Sequence, residues 1–146
     1  MTPKQVELVQ SSFKKVLPIS DTAAEIFYDR LFHIDPALKS LFHGDIRQQG
    51  KKLMQMLAAA VHNLNRPGAL LPAVEALGAR HAGYGVTEKH FEAVGEALLW
   101  TLARGLQEEF TPEVEAAWME AYVALSAVMK RAAYGKAAAG PETARA

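Results

Sequence analysis

The chain contains no cysteine. That absence excludes disulfides, thiolate nucleophiles, zinc ribbons, iron–sulfur clusters and any cofactor attached through a thioether. It also fits a reducing compartment. An excess of charge of either sign is missing as well: sixteen Lys and Arg balance sixteen Asp and Glu, for a formal net charge of +0. With no broad positive field to gather phosphates, nucleic acid is not an expected partner. No stretch approaches the ~20 apolar residues of a bilayer span, and Glu7 stands where a secretion signal would carry its apolar run. The chain is therefore expected to be soluble and cytoplasmic, with no membrane partner. Glycine-rich phosphate cradles and the HExxH and GxSxG patterns are absent too, which leaves hydrolase chemistry without visible apparatus. Nothing alternates with period two over a useful length, so strands are not expected.

What is present is apolar and helical. Of 146 residues, 50% are hydrophobic and 22% charged, a balance that folds. A single domain of this size buries roughly two thirds of the surface its unfolded chain exposes, without help from metal or disulfide. Thr2-Pro3-Lys4-Gln5 offers an N-cap, a first-turn proline and a Gln three residues on, the signature of a helix start. Val6, Val9, Phe13 and Val16 then recur at helical spacing, giving a helix over about 3–17. Ser20 or Asp21 is expected to cap a second helix over about 21–33, stopped by Asp35-Pro36. Pro36 to Phe42 has room for a turn or two. A long stripe of Leu53, Met56, Leu57, Ala60, Val61 and Leu64 predicts a core-facing helix over about 46–64. Arg66-Pro67-Gly68 is expected to break it before a shorter segment carrying Leu70, Val74, Leu77 and His81. Thr87 and Thr111-Pro112 open two further helices, the last reaching about Tyr134. The chain reads as all-α, with a domain over 1–134 and a flexible Ala-rich tail over 135–146.

Of the five histidines, His81 falls on the apolar stripe of Leu70, Val74 and Leu77. Burying an imidazole costs free energy unless a partner takes the ring nitrogen. Spacing leaves two readings open: a core histidine satisfied by a carbonyl or carboxylate, or a metal ligand. His33, His43 and His62 read as solvated surface positions. Tyr28, beside Phe27 on the second helix, and Gln49, about one turn before Leu53 on the long helix, are polar groups that reach toward the same interior. An interior holding Phe27, Phe42, Met54, Met56 and Trp100 is by itself ordinary core.

Five segments in this order resemble the globins, and among them the bacterial single-domain haemoglobins related to the haem domain of flavohaemoglobins: Ile26 to Phe32, Pro36 to Phe42, Gln49 to Met54, Arg80 to Val86 and Ala117 to Tyr122. The resemblance covers about residues 3–134. It implies the globin fold, a three-on-three helical sandwich around a haem pocket, and a non-covalent haem b. It makes His81 the proximal iron ligand and Phe42 the ring packed on the porphyrin. It places Tyr28, Gln49 and Leu53 on the distal side and Lys52 near the pocket mouth, with Leu77, Val86 and Phe91 as further pocket residues. One departure stands out. The tyrosine and glutamate that support the proximal histidine in flavohaemoglobin domains correspond here to Phe91 and Ala133, which accept no proton and so cannot raise the basicity of His81.

The resemblance implies a binding protein for O2, CO and NO, acting as an oxygen carrier, store or buffer, as a monomer or homodimer. The enzymatic alternative is nitric oxide dioxygenation, which on a chain of this length calls for an external reductase.

Overall fold

The computed structural model describes residues 1–42, 44–83 and 88–132; the side chains of residues 67, 77, 79–83 and 88 also fall outside the description. Among the described residues there are helices and no strands, as the sequence predicts. They are α1 (Pro3–Val16), α2 (Ser20–Ile34), α3 (Ile46–His62), α4 (Pro67–Gly83), α5 (Glu88–Leu106) and α6 (Pro112–Lys130), with 3-10 turns at Leu17–Ile19, Pro36–Leu41 and Gln107–Glu109.

Most starts follow local chemistry. The Thr2 hydroxyl accepts from the Gln5 backbone N–H at 3.1 Å and the Gln5 side chain accepts from the Thr2 N–H at 2.9 Å, a reciprocal cap. Asp45 caps α3 by accepting from the Arg47 N–H at 2.9 Å, and Thr111 caps α6 by accepting from the Val114 N–H at 3.2 Å. Two expectations need correction. α2 has no side-chain cap: the residue before it is Ile19, and the Ser20 backbone N–H bonds the Leu17 carbonyl. The 3-10 turn runs straight into the helix, so its first N–H finds a partner in the preceding turn. α4 is not short. It has 17 residues, as many as α3, because Pro67 starts a helix instead of only ending one, and Pro72 sits inside it. Thr87, His43 and the tail from 133 lie outside the described residues.

Packing is dominated by α2 on α5, α1 on α6, α2 on α3 and α4 on α6. Leu31 of α2 and Leu102 of α5 are each 2% exposed, and burial of such a side chain contributes about 1.5–3 kcal/mol. Between α1 and α6, the Trp118 indole N–H donates to the buried Ser12 hydroxyl at 2.9 Å, which satisfies the one polar group of a ring packed 6.1 Å from Phe13. The Gln10 side-chain amide donates to the Val61 carbonyl at 3.0 Å, tying α1 to a carbonyl at the end of α3 that also accepts from the Leu64 N–H at 3.3 Å.

Glycine sets two of these crossings. At Gly50 of α3 an added Cβ would sit 3.0 Å from the Ala24 Cβ, so α3 lies close against α2. At Gly78 of α4 it would sit 2.7 Å from the Met129 Cα, against backbone that has no rotamer to change. Gly78→Ala is expected to destabilise the chain by about 1–3 kcal/mol through overpacking, outweighing the ~1 kcal/mol of helix propensity that alanine brings. Gly50→Ala, which meets the Ala24 methyl group and, at an ordinary 3.9 Å, the Tyr28 ring, should cost less. Urea unfolding followed by far-UV circular dichroism gives both values, and a stabilised Gly78→Ala would refute the close approach.

Candidate functional site

The second half of α2 points an aromatic group into the space beside α3. Tyr28 is 6% exposed. Phe27 meets it edge-on at 5.1 Å, Phe42 edge-on at 5.4 Å, and Phe32 at 5.9 Å. Phe32 and Phe42 contact each other at 5.5 Å, so three phenylalanines pack against one phenol ring. Phe42 enters because the 3-10 turn Pro36–Leu41, capped by the Asp35 carboxylate accepting from the Ala37 N–H, folds the chain back over α2.

The close crossing at Gly50 brings its neighbour Gln49 to Tyr28. Gln49 is an exposed residue, yet its side chain hydrogen-bonds the phenol. Burial pushes the Tyr28 pKa up to about 12, and the bond with Gln49 pulls the other way. Burial wins, because a phenolate stripped of water has little to replace its hydration. Tyr28 is therefore a neutral phenol, a hydrogen-bond donor at any physiological pH. In linkage terms the folded pKa lies above the ordinary value of 10.0, so the native state is penalised only once the phenol of the unfolded chain ionises. The expected result is full stability from this group below about pH 10 and its progressive loss between about pH 10 and 12. Urea midpoints across that window check it in wild type against Tyr28→Phe, in which the pH-dependent loss should be smaller.

Leu53, one turn beyond Gln49, is half-buried and lines an apolar cavity together with Phe27, Met54, Leu57 and Leu98. Lys52 is exposed. Leu41, Phe42, Leu53, Leu57 and Leu99 are large apolar side chains left only partly buried at the edge of the core. α3 leans on α2 and α1, whereas α4 leans on α6. An apolar, flat group suits a wall of this composition, since covering such side chains is favourable.

The sequence-predicted residues thus divide. Tyr28, Phe42, Gln49 and Leu53 come together, with Lys52 exposed on the same helix. Leu77 and His81 have their backbone in α4, and their side chains fall outside the description, as does all of Val86. Phe91 is buried at 4% exposure near the start of α5. Its carbonyl accepts a hydrogen bond from the Tyr122 hydroxyl, and the Lys130 ammonium lies 5.6 Å from its ring centroid. Sequence reasoning missed this bond. It also missed Gly95, where an added Cβ would sit 2.7 Å from the Tyr122 Cε2. Burial raises the Tyr122 pKa well above the ordinary phenol range, so this phenol too stays neutral, spent on a backbone carbonyl. The lone signal available was Gly95 lying four residues from Phe91, one helical turn.

Comparison with known proteins adds the following. The family profile described as Globin matches residues 25–129. A flavohemoprotein of Xylella fastidiosa (strain 9a5c) is 30% identical over 132 residues, covering 88% of this chain and 33% of that protein. One of Vibrio cholerae is 29% identical over 131 residues, with the same coverage of 88% and 33%. Neuroglobin-1 of Oncorhynchus mykiss is 30% identical over 145 residues, covering 90% of this chain and 91% of that protein. The chain spans about a third of the length of the flavohemoproteins it matches.

Proposed function

The chain belongs to the globin family, and from that premise we propose that it binds haem non-covalently and takes up oxygen and other diatomic gases reversibly, as a carrier, store or buffer. The observation that carries the reading is a neutral phenol buried among the rings of Phe27, Phe32 and Phe42 and paired with the side chain of Gln49. That arrangement offers hydrogen bonds to a small ligand.

Haem, when bound, would supply a ferrous iron able to take up diatomic ligands. In the reading proposed here His81 would hold the iron, Phe42 would pack on the porphyrin, and Leu53 with Leu77, Val86 and Phe91 would complete the apolar wall. Lys52, exposed on α3, is suited to a haem propionate. Phe91 and the methyl group of Ala133 accept no proton, so a backbone carbonyl is left to take the His81 N–H, a weaker push on ligand basicity than a carboxylate would give. Tyr28 and Gln49 donate to whichever ligand atom carries partial negative charge, and a hydrogen bond to such an acceptor is worth about 1.5–3 kcal/mol.

A second reading rests on the flavohemoproteins: nitric oxide dioxygenation with electrons from a separate reductase. One series of measurements tests both. A Soret band that shifts when CO is added to the dithionite-reduced protein supports the haem reading, and its absence would refute it. Sustained consumption of NO in the presence of a cellular reductase favours the enzyme; a single stoichiometric oxidation favours the carrier.

A further inference from the structure

The outward face of α6 carries apolar side chains that the fold leaves uncovered. Val123 is 62% and Met119 48% exposed, the two highest values among the exposed large apolar residues described. They lie one turn apart on the same face, and Ala116 and Ala127, both exposed, extend that face in either direction. The remaining exposed large apolar residues are scattered over other elements, such as Leu17 and Ile19 in a 3-10 turn and Leu71 on α4. Charge is distributed unevenly along α6. Glu113, Glu115 and Glu120 occupy its N-terminal half, while Lys130 and Arg131 lie at its C-terminal end. This order complements the helix dipole, and it also makes the face self-complementary when the helix is reversed.

We propose that α6 pairs antiparallel with α6 of a second copy of this chain about a two-fold axis at Val123. An isologous contact sets the same patch against itself. With Val123 on the axis, Met119 of one copy faces Ala127 of the other, a long side chain against a methyl group, so the two helices approach without collision. Glu113 and Arg131 are both exposed and lie about five turns apart at 3.6 residues per turn, hence on one flank of the helix. Reversal about Val123 brings the Arg131 guanidinium to within about two residues' rise, ~3 Å along the axis, of the partner's Glu113. Glu120 falls on the same flank, and Arg131 lies between the levels of the partner's Glu113 and the partner's Glu120. A parallel pairing would instead oppose acid to acid and base to base. One helix face is less than the ~1,200 Å² of a standard stable interface, so the dimer is weak, concentration-dependent and weakened by salt.

Sedimentation equilibrium of the full chain over a range of concentrations tests the pairing. The expected result is a reversible monomer–dimer equilibrium that Val123→Glu weakens at least tenfold. Glu113→Arg and Arg131→Glu should each weaken it, and the two together should recover part of the lost affinity, because the partner's Glu120 still opposes the new carboxylate at position 131. All three residues are exposed, so thermal melts of the variants should show no more than the small loss expected from reversing charges that complement the helix dipole, which separates loss of pairing from loss of fold. A monomeric mass at every concentration, a dimer indifferent to Val123→Glu, or a charge swap that recovers none of the lost affinity would each overturn the proposal. None of these outcomes depends on whether haem is bound.

Discussion

His81→Ala is expected to lower haem affinity at least about hundredfold, equivalent to ~2.8 kcal/mol, while leaving the helical content of the chain nearly unchanged. His81 lies near the end of α4, and in the proposed reading its imidazole is the protein's one bond to iron. Removing a ligand would delete that bond outright, whereas the apolar contacts proposed for Phe42 and Leu53 would persist and still favour the porphyrin. Residual pigment in the variant should therefore have altered axial coordination. Free imidazole added to it should restore part of the wild-type spectrum, because the deleted group is then supplied from solution into the vacated space. Haem titration of the apoprotein measures the affinity, and the reduced spectrum reports coordination. Wild-type affinity with an unchanged spectrum would remove His81 from the iron and with it the proposed function. A mere loss of stability would show in the melting curve and would not respond to imidazole.

Tyr28→Phe is expected to speed oxygen release by at least about tenfold and CO release much less. The reason is charge. Bound oxygen draws electron density and becomes a good acceptor, and a bond to such an acceptor is worth about 1.5–3 kcal/mol, ten- to hundredfold in rate. CO draws less and gains less. The Tyr28 pKa of about 12 matters here, because a phenolate could not donate. The substitution keeps the ring and hence the edge-on contacts with Phe27 and Phe42, so packing is nearly conserved and the hydroxyl is the variable. Gln49 has a different role, since its side chain is the phenol's partner: Gln49→Leu should shift oxygen release in the same direction by a smaller factor. Flash photolysis and stopped-flow mixing give the rates. Equal acceleration for both gases would point to altered access, and would end the hydrogen-bonding account.

What the residue order determined by itself was everything that depends on partners within about one helical turn. Thr2 with Gln5, Asp45 with Arg47 and Thr111 with Val114 form caps between residues two or three apart, so the start of each of these three helices is written beside the bond that makes it. The same locality makes Tyr28, Gln49 and Leu53 recognisable as residues of two helices with shared direction. It misleads where a neighbouring element supplies the partner, as at Ser20, whose start is satisfied by the preceding 3-10 turn, and at Pro67, which sequence took for a break alone.

Only the tertiary structure decided how those helices meet. Gly50 against Ala24 and Gly78 against Met129 are approaches between residues far apart in the chain, and no local rule marks either glycine as a crossing point. The pairing of Gln49 with Tyr28, the use of the Tyr122 hydroxyl on the Phe91 carbonyl and the Trp118 bond to Ser12 likewise exist because packing selects one partner among many of the same chemistry. So does the outward turn of Met119 and Val123: helical periodicity says which residues share a face, and only the close packing of α1 and α4 on α6 says which face is left to the solvent.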